Sequence, residues 1–372
     1  MPASQWDRLA NPNGDALPHP FTRHAFFVAL EESGSADAKT GWKPTHLILQ
    51  RGDTPIALLP LYLKSHSYGE YVFDHGWAEA FARAGGKYYP KLQASVPFTP
   101  VTGPRLMIAV GEDRDRIRDL LVETCATAVV ETRASSLHIT FMPEDDWSAV
   151  GKAGFLLRTN QQFHWENRGY SSFGEFLGEL ASAKRKNLRK ERAAIAAEGV
   201  TFDLLSGSDL SENAWDAFFE GYIETGNTKW NPPYLTREFF SRIGQTMSEQ
   251  ILLVMAKKDG RYIAGALNLF DGDAIYGRNW GATTYMPFLH FETCYYQAID
   301  FAIARKLARV EAGAQGGHKL LRGYQPRPTF SAHYVVHEGL RRAVGDYLVH
   351  ERQEVLENME MLAARAPFKK NG

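Results

Sequence analysis

Three stretches of this 372-residue chain gather side chains able to move protons or hold anions. The densest runs Glu311-Ala312-Gly313-Ala314-Gln315-Gly316-Gly317-His318-Lys319 and continues through Arg322-Gly323-Tyr324. Small residues let a ligand approach the backbone, as Gly-rich loops do for acyl or phosphate groups, although plain structural turns collect glycines too. The second stretch, Lys64-Ser65-His66-Ser67-Tyr68-Gly69-Glu70-Tyr71, follows a predicted strand, with Asp74 and His75 just beyond. Loops at strand ends present acid–base groups well, but a hydrogen-bonded, tyrosine-rich turn uses the same residues. The third is Lys184, Arg185, Lys186, Arg189, Lys190 and Arg192, opposed only by Glu191. Arginine supplies bidentate and lysine point-charge contacts, so this run suits a coenzyme pyrophosphate, a tRNA backbone or a lipid headgroup, or else forms a solvated helix face. Arg278 and Trp280 end a predicted strand, and His290 and Glu292 open the helix after it, a topology that lets all four line one cleft.

Several chemistries lack their residues. Twelve histidines occur without an HExxH or a CxxC spacing, so no metal site is expected. There is no GxSxG nucleophile elbow, no GxGxxG and no GK[ST] phosphate loop. Cys125 and Cys294 sit in helix-like apolar patterns and read as buried thiols of a reducing compartment rather than as nucleophiles. Lys plus Arg number 42 against 43 Asp plus Glu, a formal charge of -1, so no global field attracts DNA, and any anion recognition is local. The polar, Pro-containing start resembles no secretory signal, which predicts a cytoplasmic protein. The longest apolar run, residues 56–63, contains Pro60 and falls far short of the roughly 20 residues of a membrane span, so any membrane contact is peripheral.

The elements that position these residues follow from apolar periodicity. Helices are predicted over residues 24–32 and 113–133, and strands over 45–50, 56–63, 71–74 and 136–142, with irregular chain around a short strand over 85–105. The second half repeats the order: helices over 215–222 and 234–243, strands over 251–257, 262–270 and 274–277, a helix over 291–307 and a strand over 308–312. Matching order points to a tandem duplication. Charged helices are predicted over 182–199 and 340–366. The expected divisions are a first domain at 1–170, a basic connecting helix at 171–200 and a second domain at 201–372.

The segments KSHSYGEYVFD (64–74), YYPKL (88–92), PFTPVTGPRL (97–106), the basic run 184–192, YGRNWG (276–281), LHFETCYY (289–296) and EAGAQGGHKLLRGY (311–324) resemble one family over nearly the whole chain. That family is the bacterial peptidoglycan biosynthesis/recognition group of predicted N-acyltransferases, related to the Fem aminoacyltransferases. The resemblance implies an α+β fold with mixed sheets in two tandem GNAT-like domains. It further implies transfer of an acyl or aminoacyl group from an acyl-CoA or an aminoacyl-tRNA, used as co-substrate rather than held permanently. The acceptor it implies is a small-molecule or lipid amine, either a cell-envelope precursor or a long-chain amino lipid, met in the cytoplasm at the inner face of the membrane. The usual GNAT pyrophosphate loop is absent in clean form; its nearest pieces are Val101-Thr102-Gly103-Pro104-Arg105 and Gln315-Gly316-Gly317-His318, which keeps a bulkier acyl donor or a charged tRNA open.

On this reading the second domain carries the chemistry. Glu311 or His318, and then His66, takes the amine proton, while backbone N–H groups near Gly313 to Gly317 receive the oxyanion. Donor and acceptor are expected on Lys64, Tyr68, Glu70, Lys184, Arg185, Arg189, Arg278, Trp280, His290, Gln315, Gly316, Gly317, Lys319, Arg322 and Tyr324. The alternative from a different class is a non-catalytic binding module for peptidoglycan fragments.

Overall fold

Pro60 interrupts the first β-rich stretch, because proline has no N–H to give a ladder. The computed structural model describes residues 1–227, 233–313 and 316–369. Helices α1 (Ala3–Ala10) and α2 (His24–Glu32) precede strands β1 (Trp42–Pro44), β2 (Leu47–Arg51), β3 (Thr54–Leu59) and β4 (Tyr62–Lys64). The single strand expected over 56–63 is therefore two, and they serve different sheets. A second correction concerns 71–74, expected as a strand: it is bend and turn, with Tyr71 at φ 59°. The positive φ turns the chain out of the extended conformation at Tyr71, and Glu70 and Asp74 are drawn inward to Lys91. Helix α3 (His75–Arg83) follows, then β5 (Lys91–Ala94), β6 (Met107–Ile108), α4 (Arg114–Glu131), β7 (Ser136–Met142), α5 (Glu144–Lys152) and β8 (Leu156–Glu166). Asp113 starts α4 as its N-cap, accepting from the Arg116 N–H at 3.2 Å.

The later elements are α6 (Phe173–Glu179), the basic α7 (Ser182–Ala197), β9 (Thr201–Leu205), α8 (Glu212–Asn227), α9 (Arg237–Thr246), β10 (Ile251–Lys258), β11 (Arg261–Phe270) and β12 (Ala274–Ala282). After β12 come a short α10 (Leu289–Phe291), a π-helical turn (Glu292–Tyr296), α11 (Gln297–Arg305), β13 (Arg309–Glu311), a 3-10 turn (Gly317–Arg322), β14 (Gln325–Val335) and α12 (Glu338–Ala364). The helix expected over 291–307 thus contains a π turn. Strands β8, β9 and β14 had no expectation: β8 carries the polar run Thr159-Asn160-Gln161-Gln162, and β14 carries Pro326 and Pro328.

Two units divide the chain: Met1–Gln161 with Pro328–Asn358, and Gln162–Arg327 with Met359–Gly372. In the first, strands order β1-β4-β5-β7-β14, beside a small β2-β3-β6 sheet. In the second they order β8-β13-β12-β11-β10-β9, and α7 lies in this unit. Each unit holds one parallel pair spanned by a helix: β5–α4–β7, registered Leu92↔Leu137 to Ala94↔Ile139, and β12–α11–β13, registered Ala274↔Arg309 to Tyr276↔Glu311. The antiparallel strand beside each pair comes from later or earlier in sequence than simple repetition predicts. β14 lies against β7, with Phe330↔Met142 and Val335↔Ser136, and β8 lies against β13, with Glu311↔His164. That exchange is why 328–358 belongs with the first unit although it follows 201 in sequence.

Leu59, Leu92, Leu121, Leu137 and Ile139 are fully buried in the first unit, each worth about 1.5–3 kcal/mol relative to exposure. In the second, Trp215, Phe218 and Phe240 pack together under β11 and β12. The approach of α8 to β12 is close enough that a Cβ on Gly281 would stand 2.3 Å from the Tyr222 nitrogen.

Candidate active site

A β-bulge opens the site in the second unit. Leu267 faces Asn279 and Asn268 faces Gly277, so Arg278 is the extra residue of β12. The bulged residue falls two residues beyond Tyr276↔Glu311, where the described parallel pairing ends, and β12 runs on to Ala282 paired with β11. Bulges re-aim side chains and end pairing next to active sites. Beyond β13 the chain turns through Gly313 (φ 74°) and Gly316 (φ 104°) into the 3-10 turn. A Cβ on Gly316 would meet the His318 ring at 2.4 Å, so this position requires glycine on both counts.

The 3-10 turn and the π turn meet through His318, whose Nε2 lies 2.9 Å from the Tyr295 hydroxyl. His290 packs edge-on to Tyr295 at 5.3 Å and to Trp280 at 5.1 Å, and lies 6.1 Å from His318. π turns interrupt helices frequently at functional sites, and this one buries Glu292, Thr293, Tyr295 and Tyr296 while leaving Cys294 half-buried.

Arg322 organises the turn. Its Nη1 donates to the His318 carbonyl at 2.8 Å, its Nε to the Tyr296 hydroxyl at 3.1 Å, and its Nη2 to both oxygens of Glu191 on α7. The guanidinium also lies 3.4 Å above the Phe291 ring. The next residue, Arg192, reaches Glu292 at 2.9 Å and Asp300 at 2.8 Å. These contacts join the basic helix to the π turn and leave Lys186, Arg189 and Lys190 exposed.

Lys319 is buried and donates to the carbonyls of Ala312 and Gly313. Burial pushes its ammonium down to about 8, and the Cys294 thiol partly offsets this. His318 is likewise held below its ordinary value, first by burial and then by Arg322 and Lys319, so it is neutral and able to accept a proton. Glu311 is buried beside Arg309, which donates to it at 2.8 Å, with His164 Nε2 at 3.6 Å. Burial first, and Arg309, Arg327 and Lys319 after it, push His164 down to about 3. No group of three or more His, Cys, Asp or Glu among the described residues is arranged to hold a metal ion.

The first unit holds a different kind of cluster. Lys64 and Lys91 are fully buried with Glu70 and Asp74; Lys91 donates to Glu70 at 2.7 Å and to Asp74, and Lys64 lies 3.4 Å over the Trp42 ring. Tyr88 donates to Asp74 at 2.7 Å, and His138 Nδ1 lies 2.7 Å from His333 Nδ1. Burial pushes Lys64 down to about 7 and Glu70 up to about 7. Burial would raise Asp74 too, but Lys91 and then His138 hold it below its usual range.

A family model described as peptidoglycan biosynthesis/recognition matches residues 1–370. The chain belongs to the FemAB-like family. No curated protein matches it. Among solved structures, FemX is similar over 93% of this chain and 98% of its own, at 11% identity and TM-score 0.58. L-PGS from Bacillus licheniformis is similar over 96% and 100%, at 11% identity and TM-score 0.52. A conserved protein of unknown function from Bacteroides thetaiotaomicron is similar over 91% and 98%, at 8% identity and TM-score 0.54. The fold of this FemAB-like protein is α+β, with parallel and antiparallel strand pairs in each of its two units, and FemX shares it.

Sequence expectation and geometry agree unevenly in the FemAB-like chain. Glu311, His318, Lys319, Arg322, Tyr324, His290, Trp280, Arg278, Gly316 and Gly317 all belong to the second unit, as do Lys184, Arg185 and Arg189. Gln315 lies outside the described residues. His66, Lys64, Tyr68 and Glu70 belong to the first unit. His66 has both ring nitrogens engaged by backbone, Nε2 toward the Thr40 carbonyl at 2.9 Å and Nδ1 accepting from the Tyr68 N–H. Tyr68 is exposed, whereas Lys64 and Glu70 are inside the ion cluster. Sequence reasoning passed over Glu191, Cys294, Tyr295 and Tyr296 in the second unit and Lys91, His138 and His333 in the first. Glu191 has one signal, as the single acid in the basic run; Lys91 lies in YYPKL and Cys294, Tyr295 and Tyr296 in LHFETCYY, two segments that carry the family resemblance without marking these side chains, and His138 and His333 have none.

Proposed function

We propose that this protein is an N-acyltransferase that moves an acyl or aminoacyl group from an activated ester to an amine acceptor of the cell envelope, either a peptidoglycan precursor or a long-chain amino lipid. One observation carries the reading: the β12/β13 parallel pair ends at Tyr276↔Glu311 beside a bulge, and His318, Lys319 and Tyr295 gather at that end. Unpaired strand edges can hold an extended donor, and amine attack then needs a proton acceptor and a donor to the oxyanion. Neutral His318 supplies the first; backbone N–H groups of Gly316 and Gly317 are suited to the second. Glu311, shielded beside Arg309, shapes the strand end. The exposed cations Lys186, Arg189 and Lys190 suit the phosphates of coenzyme A or of tRNA. FemX and the L-PGS structure share the fold, which supports the class of reaction but names neither substrate. No helix among the described residues is long and apolar enough to cross a membrane, and we place the reaction in the cytoplasm with the acceptor met at the inner membrane face.

The test is an assay of the full chain against acyl-CoAs, acyl carrier protein thioesters and aminoacyl-tRNA, with a long-chain amino alcohol and a muropeptide amine as acceptors, read by mass spectrometry. Donor-dependent amide product is expected, lost in His318→Ala. Binding of muropeptide without product from any pair replaces the enzyme with a recognition module.

A further inference from the structure

Phe288, just before α10, takes a backbone conformation that a bulky side chain rarely adopts, φ 68° and ψ −9°. Such strain persists only where the surroundings over-determine it, and it clusters at ligand sites. Phe288, Met286 and Trp280 pack against a buried apolar cluster that includes Ile195, Val200 and Leu289. All three are half-buried, so the cluster covers one side of each and leaves the other open. This apolar surface continues to His318. The Phe288 ring stands 6.5 Å from Phe291, and Phe291 stands 5.5 Å from His318. Trp280 reaches the same imidazole by a second path, 5.1 Å to His290 and 6.1 Å from His290 to His318. Phe291, His290 and His318 are half-buried as well. A narrow strip of rings thus leads away from the group that takes the amine proton, and next to Met286 the Tyr285 side chain is 92% exposed.

We propose that the strip from His318 through Phe291 and Phe288 to Met286 is a subsite for a long alkyl chain whose amide-forming end lies at His318. This rests on the acyl-transfer reading and narrows it, because one of the two substrates is then long-chained. Open apolar surface that begins at a reacting group is covered by whatever is joined to the reacting atoms. The side chains of Phe291, Phe288 and Met286 offer no N–H or O–H to a ligand. A peptide lying along them would leave its own N–H and C=O groups unpaired, whereas an alkyl chain gains by leaving water. The strain at Phe288 has a reason on this account: glycine would take the same φ freely, so what a phenylalanine adds there is its ring. A chain on the acyl group of the donor and a chain on the amine acceptor are chemically alike along the strip, and each methylene buried adds roughly fourfold in affinity.

The test is calorimetric titration of the full chain with two series, each kept below its micelle concentration: acetyl-, octanoyl- and palmitoyl-CoA, and short, medium and long 2-amino-1-alkanols. Affinity should climb with chain length by roughly fourfold per methylene taken up. A climb in the first series places the chain on the donor, and a climb in the second places it on the acceptor. Phe288→Gly, which keeps the backbone conformation and removes the ring, and Met286→Ser should each flatten the climb, with thermal midpoints showing that both variants remain folded. No climb in either series, or a climb that both variants leave intact, overturns the subsite. So does binding to phosphatidylcholine vesicles that both variants abolish while the two series stay flat, which would make the strip a bilayer contact. Titration needs no turnover, so the two readings fail separately. Amide product from acetyl-CoA alongside flat series removes the strip and leaves acyl transfer standing, whereas a climb without amide from any pair keeps the strip and defeats acyl transfer.

Discussion

Arg322 and Glu191, 131 residues apart in sequence, are joined by a single guanidinium nitrogen that donates to both carboxylate oxygens, at 2.8 and 2.9 Å. Their side chains are 6% and 14% exposed, so the pair is well shielded. It ties the turn bearing His318 and Lys319 to the basic helix. Removing one partner strands the other, at a cost of about 3–5 kcal/mol. Arg322→Ala should lower urea stability by that order, and Arg322→Ala with Glu191→Ala should cost clearly less than the two single changes summed. Additive losses would show that the pair does not couple the two elements.

A backbone contact makes a second prediction. Gly281 of β12 and Gly221 of α8 lie against each other, and a Cβ on Gly281 would stand 2.5 Å from the Gly221 carbonyl carbon. Gly281→Ala must push α8 off the strand, an overpacking cost of about 1–3 kcal/mol. Because Trp280, the neighbouring residue, packs edge-on against His290, amide formation should fall as well. An unchanged thermal midpoint would mean that α8 yields without strain.

Stability should fall with acid through the first unit. His138 is pushed down to about 3 by burial and then by Lys91, and His333 well below its ordinary value by burial and then by His138. Both histidines take protons in the unfolded chain below about pH 6.5 but not in the folded one, so folding is penalised as pH drops. Glu70, raised to about 7 by burial, opposes this, because the folded protein takes its proton first and gains stability as pH falls from there. Two protons against one leave a net loss from this cluster of roughly 1.4 kcal/mol per pH unit between about pH 6.5 and 4.5, to which His164 of the second unit, pushed down to about 3, adds in the same direction. Urea titrations at stepped pH should show that slope, and His333→Gln should flatten it. An equally steep slope in His333→Gln would clear the histidine pair of responsibility.

The exposed face of α7 separates folding from binding. Lys186, Arg189 and Lys190 are exposed, whereas Arg192 is committed to Glu292 and Asp300. Lys186→Glu with Lys190→Glu should leave the unfolding midpoint nearly unchanged and raise KM for a phosphate-bearing donor, more at low salt than at high. Arg192→Glu should unfold the second unit more easily. Unaltered KM in the double variant would make the face a solvated surface.

What the sequence by itself determined was local. Apolar spacing and turn residues set the α10-to-α11 region, the hairpin at Lys258 to Arg261 and the repeated order of elements, and the charge run on α7 needed only the neighbours of Glu191. Residue types also placed His318, Lys319 and Arg322 in one turn. Tertiary structure alone decided which strands pair, since β14 and β8 carry too many prolines and polar residues for a local pattern to announce them. It alone decided that Lys64 and Glu70 are buried beside Lys91 rather than presented on a loop. The physical reason is range: periodicity is written over a few residues, whereas burial and charge pairing depend on groups that meet only when the chain has folded.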